Sequence, residues 1–270
     1  MENGTDCLAS IYRYPMKSLM GEELNAAHFT PQGLFGDRSY ALGDTETGKV
    51  VSAKNPRKWP KLFRYRASYV TPPLIGAPLP PVRVTLPDGG VAVSSSSDFA
   101  PILSGALGRS VTLLAKPPQG AQLEEFWPDR EATASPDVVT DENMPPGTFF
   151  DLAIVHLLTT STLSRFAELE PGSRFEPRRF RPNLVVDTGQ QDGFVENQWI
   201  GKTLAIGPEV RIEITGPCPR CVMTTLAQGD LPKDPAILKS SVRHNQGHAG
   251  VYGSVLQSGT VRVGDTVRVV

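Results

Sequence analysis

Cysteine is scarce in this chain, with Cys7, Cys218 and Cys221 making up the full set. An odd, sparse number excludes the disulfide framework of a small secreted domain and fits a reducing compartment. Long apolar runs are missing: nothing approaches the ~20 residues that a membrane-crossing helix needs. The polar stretch Met1 to Asp6 has neither the basic start nor the apolar centre of a signal or transit peptide. The expectation is a cytoplasmic protein with no membrane partner. Charge of one sign is also missing, since the formal net charge is -1. That excludes a nucleic-acid coat, and no nucleic-acid partner is expected. Strongly periodic helical segments are few.

What the chain has in quantity is punctuation. Proline and glycine each occur 25 times in 270 residues, with short β-branched runs between them. That pattern predicts a mainly β chain with a few helices (α+β), rich in barrels. The length suits one large domain or two modest ones. Lys116 to Met144 has little periodicity and many turn formers, so it reads as a boundary or a surface excursion. Division there gives residues 1–120 and 121–270. Strands are predicted at Leu8 to Tyr14, Glu22 to Phe29, Asp37 to Leu42 and Leu152 to Leu158. Further strands are predicted at Glu196 to Ile200, Lys202 to Ile206 and Val210 to Ile214. Val82 to Val93 reads as a hairpin turning at Asp88-Gly89, and Gly259 to Val269 as a closing hairpin. The serines at 94–97 and Asp98 cap a helix from Phe99 to Leu107.

The stretch with the most chemistry is Cys218-Pro219-Arg220-Cys221. Pro217 and Pro219 stiffen it and remove two backbone donors. Arg220 puts a fixed positive charge beside Cys221, which favours the thiolate. Such a loop suits a metal ligand, a nucleophile or a redox centre. A structural zinc site wants a second ligand pair; His244 and His248 at i, i+4 could supply it, but Gly247 and Gly250 flank the second histidine and disfavour a helix there. A thioredoxin-like site wants C-x-x-C opening a helix, whereas Val222 to Thr225 is β-prone.

Candidate anion sites lie elsewhere. Lys17 and Ser18 share a turn whose side chains and amides can hold a phosphate. Thr159 and Thr162 begin a hydroxyl-rich helix with free amides at its N-terminus. Arg178, Arg179 and Arg181 crowd the entrance to a strand beside Asn183, and guanidinium groups make forked contacts to phosphate or carboxylate. His156, inside an apolar run, reads as a core histidine. The basic stretch Lys54 to Arg66 reads as a charged face around buried Trp59, Leu62 and Phe63, or as a binding site for an acidic partner.

Several of these segments together resemble one family. They are Tyr14-Pro15-Met16-Lys17-Ser18, Gly36-Asp37-Arg38, Arg179-Phe180-Arg181-Pro182-Asn183, the Cys218 to Cys221 loop and Gly259-Thr260-Val261-Arg262-Val263-Gly264-Asp265. In this order they resemble the MOSC family, with a MOSC N-terminal β-barrel domain over 1–120 and a MOSC β-barrel domain over 121–270. More narrowly, the chain is similar to the mitochondrial amidoxime-reducing component and its bacterial relatives.

The resemblance implies a molybdenum cofactor (Mo-molybdopterin), a pyranopterin dithiolene with a phosphate tail. Cys221 falls on the family's metal-ligating, catalytic cysteine, with Cys218 as its neighbour. Lys17, Ser18, Arg38, Arg181, Asn183 and Arg220 fall on positions that hold the cofactor, and Thr159 and Thr162 near a helix start that anchors it. The implied activity is reduction of N-hydroxylated compounds (amidoximes, hydroxylamines, N-hydroxylated bases), and family descriptions add pyridoxal phosphate binding. The chain has too few cysteines for an iron–sulfur cluster, so a separate ferredoxin-, flavodoxin- or cytochrome b5-like donor is expected, with Lys54 to Arg66 as a docking surface. The membrane anchor of the mitochondrial members is not expected. The alternative is a module that carries cofactor or sulfur without turnover of its own. Val186 to Glu196 departs from the family pattern and transfers no substrate preference.

Overall fold

The computed structural model describes residues 6–127 and 138–270. Strands β1 (Cys7–Arg13), β2 (Glu22–Leu24), β3 (Ala26–Thr30), β4 (Gly33–Leu34) and β5 (Ala41–Asp44) come first. They are followed by β6 (Arg66–Tyr69), β7 (Val82–Thr85), β8 (Val91–Val93), helix α1 (Phe99–Leu107) and β9 (Val111–Leu114). β10 (Gln122–Trp127) and β11 (Val138–Asn143) precede β12 (Val155–Thr159), α2 (Thr160–Leu169), α3 (Pro177–Phe180) and β13 (Leu184–Asp187). The chain continues through β14 (Thr203–Ile206), β15 (Val210–Pro219), α4 (Ala236–Asn245), β16 (His248–Gln257), β17 (Gly259–Arg262) and β18 (Val267–Val269). The class is the expected one, mainly β with a few helices. Among the described residues no helix is long and apolar enough to cross a membrane.

The largest sheet has eight strands in the order β18-β14-β15-β16-β12-β13-β1-β2. Only β12 and β13 run parallel, joined by a crossover through α2 and α3. The first strand therefore lies within the sheet of the C-terminal half, with Ile11 opposite Leu184 and Cys7 opposite Asp187. Because β1 and β13 are antiparallel, the turn leaving β1 meets the segment entering β13. The segments holding Lys17 and Arg181, far apart in sequence, come side by side for that reason, and the Arg181 guanidinium donates to the Leu19 carbonyl.

Two apolar clusters flank this junction. One, under the large sheet, includes Ile11, Phe29, Leu157, Leu184, Ile212 and Val261. The other fills the N-terminal half around Met16, Leu19, Trp59, Leu62, Phe63 and Phe99. Each fully buried large side chain contributes about 1.5–3 kcal/mol. Ile11 sits in the first cluster and Met16 in the second, so both cores hold the intervening turn.

Several elements differ from the sequence expectation. The stretch Lys116 to Met144 contains the β10–β11 hairpin, docked on β5 through bridges from Val50 to Gly43 and to Leu123. Its strands carry Glu124, Glu125 and Glu142, so charge masks the alternation. The predicted strand Glu22 to Phe29 breaks at Asn25, and Asp37 to Arg38 form a turn, with a strand only from Ala41. Val195–Trp199 is a 3-10 turn rather than a strand, burying Glu196 and Trp199 at i, i+3 spacing. Val222–Thr225 is likewise 3-10 despite its β-prone residues. Helix α4, absent from the expectation, starts where Asp234 Oδ1 accepts the Ala236 N–H at 3.0 Å. Gly259 to Val269 is no hairpin: β17 pairs with β3, and β18 with β14.

Candidate functional site

The Pro15–Ser18 turn, the Asp37–Arg38 turn, the Arg181–Asn183 segment and the Cys218–Cys221 loop enclose one cavity of about 430 Å³. Lys17, Ser18, Arg38, Arg181, Asn183, Arg220 and Cys221 all line it. Ser18 (φ 64°), Arg38 (φ 47°) and Arg181 (φ 56°) are left-handed, three of the four such non-glycine residues among those described. Non-glycine residues avoid that region unless the surroundings force it, and such positions gather at functional sites. Each of the three is tied to a neighbouring segment by a hydrogen bond. Ser18 Oγ accepts the Ala53 N–H (3.1 Å), the Arg38 N–H donates to the Tyr14 carbonyl (2.7 Å), and the Arg181 guanidinium donates to the Leu19 carbonyl (2.6 Å).

Tyr14 organises two of the cations. The Arg181 guanidinium lies 4.1 Å and that of Arg38 5.0 Å from its ring centroid. Asp37, buried, ties the same corner together. It accepts the Tyr14 N–H (2.6 Å) and the Asn183 side-chain amide (2.9 Å), and pairs with Arg38. Lys17 donates to the Phe149 carbonyl (2.8 Å) and to Asp151 (2.6 Å). Burial pushes the Lys17 amine below its ordinary value, with Asp151 opposing. Burial would raise the Asp151 carboxyl, but Lys17, Lys54 and Arg38 hold it well below the usual carboxylate range. Arg181, buried and beside Arg38, is pushed down to about 10. It stays charged at neutral pH. Among the described residues neither Arg181 nor Arg220 pairs with a carboxylate, and the buried Arg220 Nε has no partner.

The cysteines are not equivalent. Cys218 is buried, and the Arg220 guanidinium donates to its sulfur and to the Phe180 carbonyl (2.6 Å). Cys221 is partly exposed and begins the 3-10 turn. The charge expected beside Cys221 is thus aimed chiefly at Cys218. Burial raises both thiols, and the cation that most opposes this at Cys221 is Lys54.

The sequence matches the MOSC domain over residues 147–268 and the MOSC N-terminal beta barrel domain over residues 6–90. The chain belongs to the MOSC-domain family. No curated protein sequence matches it. Among solved structures, the YUAD protein from Bacillus subtilis is similar at 14% identity and a TM-score of 0.48, covering 97% of this chain and 94% of that one. YiiM from Geobacillus stearothermophilus is similar at 14% identity and a TM-score of 0.34, covering 55% and 72%. YiiM from Escherichia coli gives 16% identity and 0.33, covering 44% and 54%. Likenesses this distant carry no argument about the site.

MOSC domains are associated with molybdenum-cofactor binding. The cavity's residues fit such a group. Its described lining has six cations (Lys17, Arg38, Lys54, Arg179, Arg181, Arg220) against three carboxylates (Glu125, Glu142, Asp151), and one partly exposed thiol. The unpartnered Arg220 Nε is a donor awaiting an acceptor. Among the described residues no group of three or more His, Cys, Asp or Glu side chains can hold a metal, so a metal at Cys221 needs ligands the cofactor brings.

Sequence reasoning missed Lys54, Glu125 and Asp151 as lining residues of the MOSC cavity. Lys54, from the basic stretch, pairs with Glu125 at 2.9 Å, and Lys58 pairs with Asp44 at 2.7 Å. Those charges are locally compensated. His156 also lines the cavity, with burial lowering its pKa well below the ordinary value. Its Nε2–H therefore donates to the Ala249 carbonyl at 3.2 Å. A Cβ at the left-handed Gly250 would collide with that ring, so the position needs glycine.

Thr159 and Thr162 are not brought to the MOSC cavity. Both hydroxyls donate to Glu196, at 2.5 and 2.6 Å, so the anion at the start of α2 is the protein's own. Glu196 is fully buried, its Oε1 has no partner, and burial raises its pKa. The folded state then binds the proton more tightly than the unfolded chain. This contribution is fully present below the ordinary value of 4.5 and is lost as pH rises through the raised one. Urea midpoints should therefore fall with rising pH in that window, and Glu196→Gln should remove that part of the slope. An unchanged slope in the variant would contradict the assignment.

Proposed function

We propose that the MOSC cavity holds a molybdenum cofactor, with Cys221 as the protein's ligand to the metal, and that the protein reduces N-hydroxylated compounds. Amidoximes, hydroxylamines and N-hydroxylated bases are the substrate class. The observation that carries this reading is a partly exposed thiol lining the same cavity as Arg181 and Arg220, whose guanidinium groups have no carboxylate partner among the described residues. When bound, the cofactor supplies a soft metal centre able to take an oxygen atom.

The rest falls to the chain's own residues. Arg181 and Arg220 neutralise the anionic cofactor, Arg38 and Lys17 add charge from the barrel turns, and Ser18 and Asn183 offer neutral hydrogen bonds. Asp37 and Tyr14 keep two of those cations in place, so little ordering cost remains at binding. Overall, the N–O bond of an amidoxime breaks, two electrons and two protons are consumed, and an amidine and water leave. A separate ferredoxin-, flavodoxin- or cytochrome b5-like protein supplies the electrons, and the reaction takes place in the cytoplasm.

Protein expressed in a cofactor-competent host and supplied with a chemically reduced viologen should convert benzamidoxime to benzamidine. A cofactor or sulfur carrier gives no turnover in that assay, and cofactor-loaded protein with none would defeat the reductase reading.

A further inference from the structure

A second cavity among the described residues, of about 350 Å³, shares no lining residue with the MOSC cavity. It opens where three sheets part. β2 is the outer strand of the large sheet, β3 pairs with β17 and β4, and β6 belongs to the sheet β6-β7-β8. Glu22, Ala26 and Tyr69, one from each of these strands, line the space between them. Small-molecule pockets favour such junctions, and the volume lies within their ordinary range of roughly 300–1,000 Å³.

The polar centre is Arg13, which is 8% exposed. Its Nε–H donates to Glu22 Oε1 at 2.8 Å, and its guanidinium carbon lies 4.9 Å from the Tyr69 ring centroid. The Tyr69 hydroxyl is fixed in turn, donating to the Gly36 carbonyl at 2.8 Å. The side chain is therefore held in place before any ligand arrives. A guanidinium has five N–H donors. Among the described residues Arg13 finds acceptors on two, Glu22 and the Phe35 carbonyl, the second at 3.5 Å and so at the outer limit of a hydrogen bond. Donors are left over, with an acceptor carboxylate beside them. Around this pair the wall is apolar, formed by Phe35, Pro72, Pro73 and Ile75.

Charge decides the class of ligand. Arg13 and Glu22 are the only Arg, Lys, Asp or Glu side chains in the described lining, and they compensate each other. A charged ligand would be stripped of water against a pair that is already neutral, at a net cost. A flat uncharged ring with C=O beside N–H suits both groups at once. Its carbonyl accepts from Arg13, its N–H donates to Glu22, and its faces lie against the apolar wall. Arginine and glutamate read the edges of nucleic-acid bases by the same pairing.

We infer that this cavity is a binding site for a flat, uncharged heterocycle carrying a ring carbonyl beside a ring N–H. The site is separate from the cofactor cavity and does not depend on the reductase reading.

Theophylline, which carries that edge, and caffeine, which has a methyl group in place of the N–H, are the probes, titrated calorimetrically into the full-length protein. Theophylline should bind saturably at one site, and caffeine at least roughly tenfold more weakly. Benzoate and benzamidine should not displace theophylline. Arg13→Lys, which keeps the charge and loses the fork, should weaken binding roughly two- to tenfold. Ala26→Phe, at an exposed strand position, should fill the cavity and abolish binding, with circular dichroism checking that it folds. Cys221→Ala should bind as the wild type does.

No saturable theophylline binding, or caffeine binding equally well, overturns the site. Loss of binding in Cys221→Ala also overturns it, by moving the ligand to the MOSC cavity. Unchanged binding in Arg13→Lys does the same, and it decides the matter alone if Ala26→Phe does not fold. Amidoxime reduction enters neither readout, so this site and the reductase reading fail separately.

Discussion

Cys221→Ala protein from a host that makes molybdenum cofactor is expected to hold no stoichiometric molybdenum and to reduce no amidoxime, whereas Cys218→Ala retains both. The expectation follows from how the two sulfurs are held. Cys218 is 1% exposed, at the end of β15, with its sulfur engaged by Arg220. Cys221 begins the next turn, partly exposed on the cavity wall. Removing the proposed ligand should cost more than the ~10–100-fold that loss of a supporting residue costs. Cys218→Ala should stay within that smaller range, because Arg220 loses one partner and keeps the Phe180 carbonyl. Molybdenum retained in Cys221→Ala and lost in Cys218→Ala would reverse the assignment.

Arg179→Leu is expected to destabilise the fold by about 3–5 kcal/mol, the range for removing one member of a buried charged network. Arg179 is 1% exposed and donates to four carbonyls, those of Arg174 (2.9 Å), Thr224 (3.4 Å), Leu226 (3.3 Å) and Pro232 (3.0 Å). Burying a guanidinium is costly, and burial lowers its pKa. The four acceptors offset that cost. Leucine fills much of the volume but leaves the carbonyls without donors, at about 1–3 kcal/mol for each that water cannot reach. Two of the four belong to the turn that Cys221 starts and to the residue closing it, so cofactor retention should fall as well. Denaturant titration reads the effect as a lower midpoint at constant slope. A change under about 0.5 kcal/mol, the size of an ordinary surface substitution, would show that the clasp is not structural.

Arg178, Arg179 and Arg181 show how far the sequence could be read. All three were expected to meet an anion, and charge plus proximity supports no finer statement. The structure separates them. Arg178 pairs on the surface with Glu176 and Asp230, Arg179 reaches the cavity wall but gives its guanidinium to four carbonyls, and Arg181, left-handed in its backbone, lines the cavity beside Arg38. Nothing in an arginine's identity announces a positive φ. Glycine would have, and the three left-handed residues at the cavity are serine and arginine.

Elements with a local signal were legible. Helix α1 begins after Asp98 and ends before the left-handed Gly108, although Asp98 makes no side-chain cap bond and its carboxylate accepts the Ser96 hydroxyl instead; α2 starts at its hydroxyl cap. The β10–β11 hairpin was not legible, because its glutamates answer Lys49, Lys54 and Lys58 from a distant segment. Pairing was the weakest point. The last two strands sit on β3 and β14, choices made by register in the large sheet and by no turn between them. Thr159 and Thr162 illustrate the same limit, since Glu196, which occupies their helix start, lies far away in sequence.

The central claim is that this cavity holds a molybdenum cofactor, and molybdenum and pterin content of the wild-type protein tests it most directly. Protein purified from a cofactor-competent host should carry molybdenum and a fluorescent pterin in equal, stoichiometric amounts, and protein from a cofactor-deficient host should carry neither. Folded protein from the competent host that contains zinc in place of molybdenum, or no metal and no pterin, would contradict it.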